Sequence, residues 1–150
     1  MSNKVNTNKS AIEQRVNELV QHSRTLELYL NEVLERESTV TKLIEEARLA
    51  SYALQNIPLD KENEALMPIG VGVYLKTNIP SIDKLLVNIG AGVTIEKTHQ
   101  DTLNYIESRI KEFELALQQI QSQKEQIAMR MNQLQNEVNV EMQKAQKPPN

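Results

Sequence analysis

The chain has 150 residues, enough for one ordinary domain, and only 3% of them are aromatic, with no Trp and one Phe. So few large rings argue against an ordinary compact core and favour long helices that pack through Leu, Ile and Val. The lack of Cys excludes disulfides and thiol zinc sites, and a net charge of −3 provides no basic surface for nucleic acid.

Residues 1–9 are polar, and we expect them to form a flexible tail. They lack the apolar segment of a signal peptide, and no run of about 18 apolar residues occurs anywhere in the chain. The absence of Cys is compatible with a reducing cytosol. We therefore expect a cytoplasmic protein that does not bind a membrane.

Residues 10–56 are predicted to form the first helix of a coiled coil. Ser10 and Glu13 fit a capping box at its start, and Pro58 ends it because the residue before a proline avoids helical geometry. In between, residues spaced alternately by four and three give the seven-residue repeat of a coiled coil. Ten of the thirteen residues at these positions are apolar: Ile12, Val16, Leu19, Ser23, Leu26, Leu30, Val33, Glu37, Val40, Ile44, Ala47, Ser51 and Leu54.

Residues 65–97 contain a duplicated strand pattern. The segment Ile69-Gly70-Val71-Gly72-Val73 returns twenty residues later as Ile89-Gly90-Ala91-Gly92-Val93, and such repetition marks a duplicated structural unit. Apolar residues at odd positions alternate with mostly polar ones, which predicts strands with one apolar face. Glycine permits a turn or bulge, so each unit is a predicted hairpin. Whether residues 78–84 join the hairpins into one meander stays open.

Short hairpins are marginally stable alone, so these strands are predicted to associate with strands of other chains. The apolar face of the duplicated pattern is the predicted oligomerisation surface. Its residues are Ile69, Val71, Val73, Leu75, Leu85, Val87, Ile89, Val93 and Ile95.

Residues 98–146 are predicted to form the second coiled-coil helix, with Thr98 and Asp101 resembling another capping box, and residues 147–150 form a tail. Eleven of its thirteen repeat positions are apolar: Leu103, Ile106, Ile110, Phe113, Leu117, Ile120, Lys124, Ile127, Met131, Leu134, Val138, Glu141 and Ala145.

The two helices are expected to pair in antiparallel fashion because the strands between them return the chain on itself. This register places Leu54 opposite Leu103, and Ile12 near Ala145. It also places Lys124 opposite Val33, with the ammonium group lifted towards solvent. The predicted fold is therefore α+β and mostly helical: a long antiparallel two-helix coiled coil with a central cassette of two hairpins.

The order of helix, doubled Gly-x-Gly cassette and helix resembles the alpha class of the prefoldin family, archaeal or close to it. The most specific matches are ALMPIGVGVYLKT and LLVNIGAGVTIEKT, because the alpha class carries two hairpins where the beta class carries one.

The resemblance implies a chaperone subunit that acts without ATP, catalysis or cofactor. Two alpha and four beta subunits would join through their strands into β-barrels. Their coiled-coil tips would bind unfolded polypeptides and deliver them to a group II chaperonin.

Several apolar residues near the free ends of the two helices are candidates for binding unfolded chains: Val5, Ile12, Val16, Leu19, Leu134, Val138, Val140 and Met142. Val140 and Met142 do not occupy repeat positions, so we expect them to be exposed. The alternative for the other Leu and Val residues is that they hold the helices together.

Other candidate sites carry little chemistry. His22 and His99 are far apart with no second ligand at metal spacing, so both are expected to be solvated and no metal site is predicted. Each Gly-x-Gly runs into a strand and not a helix, which argues against a nucleotide site. No nucleophile-base set indicates an enzyme. The alternative function is a structural coiled-coil tether that oligomerises through its strands without chaperone activity.

Overall fold

A computed structural model describes the backbone of residues 2–146 and the side chains of residues 9–146. Two long helices, α1 (Ser2–Asn56) and α2 (His99–Gln146), flank four strands in chain order. The strands are β1 (Asn63–Gly70), β2 (Val73–Ile79), β3 (Lys84–Gly90) and β4 (Val93–Thr98). Two long helices and two antiparallel hairpins confirm the predicted fold class. The predicted tail at residues 147–150 lies outside the described residues.

Helix α1 begins at Ser2 and not at Ser10, so the predicted capping box lies inside the helix and residues 2–9 do not form a separate tail. Residues 2–9 contain neither Gly nor Pro, so no helix-breaking residue prevents the helix from extending over them by one hydrogen bond per residue. The C-terminal end agrees with the sequence, since α1 ends at Asn56, two residues before Pro58.

The described chain divides into two compact units, of which the first holds residues 2–41 and 115–146. Its core is the cluster of Val33, Ile120 and Ile127, which are all buried. Partly buried apolar residues pack against this cluster: Leu26, Leu30, Val40 and Met131. All seven occupy predicted repeat positions, so the seven-residue pattern identified the contact surface of the two helices correctly.

One polar pair interrupts this apolar contact. The ammonium group of Lys124 lies 2.6 and 2.8 Å from the two carboxylate oxygens of Glu37. The prediction that Lys124 would lift its charge into solvent opposite Val33 is therefore wrong. A lysine stem is long enough to span a helical turn, and the ammonium group gains two charge-assisted hydrogen bonds by doing so.

The second unit holds residues 42–114, with the ends of both helices and all four strands. Ile44 and Ile110 are buried there together with the polar residues Ser51 and Thr102. The Ser51 hydroxyl donates to a Glu107 carboxylate oxygen at 3.1 Å, so this buried group has a partner on the other helix. Thr102 donates to the Thr98 carbonyl at 2.8 Å.

The strands form two separate two-stranded antiparallel sheets, β1–β2 and β3–β4. We refer to them as hairpin A and hairpin B. The described strands β2 and β3 are not paired with each other, so the chain does not form the four-stranded meander that the sequence left open. The connection is anchored elsewhere, because the Ile82 amide donates to the Leu59 carbonyl at 2.8 Å.

Each hairpin closes through a two-residue turn with a bulge before it, as the glycines predict. Val71 and Gly72 have φ values of 51° and 77°, and Ala91 and Gly92 have 49° and 75°. Positive φ at both turn residues is the pattern of a type I′ turn, which matches the twist of paired strands. Val71 is unusual here because β-branched residues rarely adopt positive φ.

Helix α2 has the predicted cap. The Asp101 amide donates to the Thr98 hydroxyl oxygen at 3.1 Å, and that hydroxyl donates to the Asp101 carboxylate at 2.9 Å. His99, which was expected to be solvated, is half-buried with its Nε2 atom 2.7 Å from the Leu54 carbonyl oxygen. That carbonyl belongs to the last turn of α1, where helix carbonyls lack partners within the helix, and the imidazole supplies one.

Candidate functional site

The hairpins expose an unusual amount of apolar surface. Among the residues predicted to mediate oligomerisation, six are exposed: Ile69, Val71, Val73, Leu75, Ile89 and Val93. Leu85 and Ile95 are half-buried. Val87 is buried within the subunit at 8% exposure, so its side chain is already shielded from solvent in the single chain. The exposed set is concentrated near the two turns.

Sequence reasoning missed further exposed apolar residues on the hairpins: Leu66, Met67, Tyr74 and Leu86. Leu66 lies directly across from Lys76, and Leu86 directly across from Glu96. Because residues across a ladder share a face, the face expected to be polar also carries large apolar side chains. The run Leu85-Leu86-Val87 was the available signal, since three consecutive apolar residues place at least one on each face.

Each hairpin also carries one exposed ion pair on this more polar face. The Glu64 carboxylate lies 3.2 Å from the Lys76 ammonium in hairpin A. The Lys84 ammonium lies 3.4 Å from the Glu96 carboxylate in hairpin B. At equivalent positions of the repeat, twenty residues apart, the two hairpins therefore carry opposite charges.

The predicted binding residues near the helix ends differ in exposure. Leu19 and Leu134 are buried, at 4% and 0% exposure, and therefore hold the helices together. Val140 and Met142 are each 50% exposed, in line with their positions outside the repeat. Ile12, Val16 and Val138 are intermediate. The side chain of Val5 lies outside the described residues.

Val140 and Met142 border two shallow grooves of the first unit. One groove is lined by Arg15, Leu19, Asn136, Glu137, Val140 and Glu141. The other is lined by Ile12, Glu13, Val16, Asn17, Met142 and Ala145. The second groove brings Ile12 and Ala145 together, as the predicted antiparallel register requires. We refer to the residues lining both grooves as the distal surface.

Three of the charged residues of the distal surface have ion-pair partners just outside it. Glu141 contacts Lys144 at 2.7 Å, Arg15 contacts Glu18 at 3.4 Å, and Glu137 contacts Arg130 at 3.3 Å. Exposed pairs of this kind contribute little to stability and leave no strong net field. The distal surface therefore combines six apolar residues with charged groups that are mostly paired, which suits contact with varied apolar groups more than with a charged ligand.

A third, more polar groove lies between the helices of the second unit. It is lined by Arg48, Ser51, Tyr52, Gln55, Glu107, Ile110, Lys111 and Glu114. Arg48 is already paired with Glu114 at 2.8 Å, and Ser51 with Glu107, so these groups stabilise the helix pair. Within the described residues, no three His, Asp or Glu side chains converge as a metal site would require, and neither helix is apolar enough to cross a membrane.

Comparison with known proteins places these features in a family. The family model for prefoldin subunits matches residues 26–144 of the chain. The chain belongs to the prefoldin family. Prefoldins are chaperones, and the match covers residues 26–56 of α1, both hairpins and nearly all of α2.

Two relatives identify the class of prefoldin subunit. The chain is 37% identical over 134 residues to prefoldin subunit alpha of Nitrosopumilus maritimus (strain SCM1), covering 89% of this chain and 92% of that one. It is 33% identical over 122 residues to prefoldin subunit alpha of Methanoculleus marisnigri, covering 72% and 82% respectively. Both relatives are alpha subunits, as the doubled hairpin predicted.

Solved prefoldin structures share the fold. Filamentous PFD from Methanocaldococcus jannaschii aligns with a TM-score of 0.57 at 20% identity, covering 81% of this chain and 98% of that chain. The prefoldin beta subunit from Thermococcus strain KS-1 aligns with a TM-score of 0.58 at 15% identity, covering 90% and 95%. At these identities the likeness concerns the fold, namely long paired helices joined by strands.

Proposed function

We propose that this prefoldin subunit holds unfolded polypeptides at its distal surface, without ATP, and delivers them to a group II chaperonin. The observation that carries the proposal is the half-exposure of Val140 and Met142 beside the two grooves. Neither residue occupies a repeat position and both are half-exposed, so both are available to an apolar ligand. Methionine suits this role because its flexible side chain adapts to varied surfaces.

Weak contacts at one subunit become useful through assembly. Burying one such side chain contributes roughly 1.5–3 kcal/mol, so a single distal surface binds an unfolded chain weakly. Several subunits on one platform raise the effective concentration and hence the overall affinity without any new contact. We propose that the platform is a cytoplasmic hexamer of two alpha and four beta prefoldin subunits, whose hairpins join into β-barrels.

The proposed joining surface is the exposed apolar part of the hairpins. Unpaired strand edges with large apolar neighbours are prone to pair with other strands, and an isolated hairpin has little stability of its own. A second prefoldin alpha subunit and the beta subunits are the proposed partners, which is in keeping with the beta-subunit fold of the solved relative. Nucleic acid and membranes are not among them.

The test compares two pairs of exposed residues on α2 in the assembled complex, of which the control pair is slightly the more exposed. Val140→Ser with Met142→Ser is expected to reduce the suppression of aggregation of a denatured protein at least severalfold, measured by light scattering. Leu115→Ser with Met129→Ser is the matched control, because these residues are 61% and 59% exposed but lie farther from the C-terminal end. The control is expected to protect as the unmodified complex does.

A structural tether without chaperone activity is the competing function. It predicts that neither the unmodified complex nor any variant suppresses aggregation. Equal loss of protection in both variant pairs would also contradict binding at the distal surface, because exposed apolar residues along the whole helix would then contribute alike.

A further inference from the structure

The methionines in the described part of the chain differ in how exposed they are. Met67, Met129 and Met142 are exposed, at 50%, 59% and 50%. Met131 is partly buried and packs against the apolar cluster of the first unit. The chain contains no Cys, so the thioether of an exposed methionine is the sulfur that an oxidant reaches first. These exposed residues are therefore the places where oxidation changes the surface of the subunit.

Met142 is the exposed methionine that belongs to the distal surface. It lines a groove of about 320 Å³. Three apolar residues line the same groove: Ile12, Val16 and Ala145. Met129 lies on the same helix but lines neither groove of the distal surface, and Met67 lies on β1 of hairpin A. The chemical state of Met142 therefore bears directly on the surface that is proposed to hold unfolded chains.

The rest of this groove offers little to a polar group. Among its other lining side chains only Asn17 carries an N–H donor, and the Glu13 carboxylate accepts and does not donate. A sulfoxide at Met142 is polar, and an apolar side chain packed over it supplies no donor. A polar group that is buried without a hydrogen-bond partner loses its hydration without compensation. Oxidation of Met142 therefore weakens the contact with an apolar segment.

Oxidation at this position spares the fold. Met142 is half-exposed and lies outside the seven-residue repeat, so an added oxygen stays hydrated in a subunit that holds no unfolded chain. Met131, by contrast, occupies a repeat position in the helix contact, where its partial burial hinders attack by an oxidant. The change at Met142 is therefore one of binding and not of stability.

We propose that Met142 is a site of reversible oxidation that switches off the holding of unfolded chains. A hydroperoxide is the oxidant: the thioether sulfur attacks one peroxide oxygen, the O–O bond breaks and an S=O bond forms. With hydrogen peroxide, the other oxygen leaves as water after it has taken up the proton of the transferred oxygen. The sulfur loses two electrons and the peroxide gains them. This inference rests on the proposed function of the distal surface.

The reverse step requires electrons from another protein, because this chain has no Cys to supply them. Methionine sulfoxide reductases remove the oxygen as water while two thiols are oxidised to a disulfide, and each epimer of the sulfoxide has its own enzyme. A dithiol-dependent reductase is therefore the class of partner that restores the apolar side chain.

The test oxidises the full chain alone and then assembles it with untreated prefoldin beta subunits, so that only methionines of this chain are changed. Every chain carries Met67→Leu, which keeps oxidation out of the hairpins. After treatment with hydrogen peroxide, the amount of complex needed to halve the aggregation of a denatured protein is expected to rise at least about threefold. Reduction by both sulfoxide reductases with a dithiol is expected to return this amount to within about 1.5-fold of its starting value.

Three variants assign the effect to one residue, and each complex is compared with itself before and after peroxide. Met142→Leu is expected to lose the response to peroxide, whereas Met129→Leu is expected to keep it, although Met129 is the more exposed of the two. Met142→Gln places a polar side chain at the groove and is expected to weaken protection without any peroxide. Peptide mass mapping locates the added oxygen, and circular dichroism is expected to show unchanged helicity.

Several results would overturn the proposal: an equal response to peroxide in Met142→Leu and Met129→Leu, full protection by a chain whose Met142 is oxidised, full protection by Met142→Gln, or loss of helicity on oxidation. A Met142 that stays unmodified while Met129 is oxidised would overturn it as well. These failures differ from failure of the proposed function, in which the complex does not suppress aggregation even before peroxide is added.

Discussion

The ion pair of Glu37 and Lys124 is the main polar interruption in the core of the first unit. Their side chains are 21% and 36% exposed, beside the buried Val33 and Ile120. We do not expect this partly buried ion pair, despite its two short contacts, to stabilise the protein much more than apolar residues at the same positions would. A clearer consequence of the pair concerns how the two helices are aligned. If one helix shifted along the other, a charged side chain would lie against apolar neighbours, so the pair favours a single register.

Glu37→Leu alone is expected to lower the free energy of unfolding by about 1–3 kcal/mol, because it leaves the Lys124 ammonium without its carboxylate. Glu37→Leu with Lys124→Leu is expected to be within about 1 kcal/mol of the original or more stable. Urea unfolding followed by circular dichroism measures both. Arg15→Ala, which breaks the exposed Arg15–Glu18 pair, is the control and should change stability by less than about 0.5 kcal/mol. Equal effects of Glu37→Leu and Arg15→Ala would show that burial of the pair is unimportant.

Strain at a single residue is also informative. Val71 combines positive φ with complete exposure, whereas Ala91 at the equivalent turn position of hairpin B is a smaller residue. A β-branched residue is disfavoured in this conformation, and in the single chain its side chain gains nothing from burial. Burial of the Val71 side chain in the assembled complex would offset this backbone strain. Such a contact agrees with the place of Val71 among the proposed oligomerisation residues.

At the scale of elements, the start of α2 is defined by side-chain hydrogen bonds. Thr98 caps the helix through Asp101, and its carbonyl also accepts from the buried Thr102. This residue is the last of β4 as well, so one position ends hairpin B and begins the helix. Because these hydrogen bonds hold the junction, they also set the direction of hairpin B relative to the first turn of α2.

Thr98→Ala is expected to destabilise the protein by about 0.5–2 kcal/mol, because the Asp101 amide loses its acceptor. The loss should be visible as faster amide hydrogen exchange in the first turn of α2, together with a lower urea midpoint. Thr98→Ser keeps the hydroxyl and serves as the matched control. Exchange as fast in Thr98→Ser as in Thr98→Ala would assign the effect to the lost methyl group and not to the cap.

The elements of this fold could be predicted from the sequence to different degrees. The seven-residue repeats identified the helix contacts, and the duplicated Gly-x-Gly identified both hairpins, because these patterns depend on periodicity alone. The predicted start of α1 was wrong because a capping signal such as Ser10 does not stop a helix from extending further towards the N-terminus. The predicted roles of His99 and Lys124 were wrong because each side chain contacts a partner on the other helix, and no local sequence pattern indicates such a partner.

The candidate site was predictable to a similar extent. Val140 and Met142 could be recognised because they depart from the repeat, and both are half-exposed. Leu66, Tyr74 and Leu86 were missed because alternation was read as one apolar face and one polar face. The burial of Val87 was also not foreseen, since exposure of a strand residue depends on what packs over it and not on its own identity.

At the scale of the whole molecule, this prefoldin alpha subunit has two exposed apolar surfaces, one on the hairpins and one at the distal surface. The hairpins expose apolar residues that suit joining to other strands, and the distal surface exposes residues that suit weak, unspecific binding. We propose that the hairpins mediate assembly. Val73 and Val93 test it well, because each is about half-exposed in the single chain and a carboxylate there remains solvated until strands join.

The most direct measurement is the mass of the complex formed with a prefoldin beta subunit, by native mass spectrometry. Val73→Asp with Val93→Asp is expected to yield free subunits that remain helical by circular dichroism. Val140→Asp with Met142→Asp, which adds the same charge at the distal surface, is expected to leave the complex mass intact. An unchanged mass for the hairpin variant would contradict assembly through the hairpins.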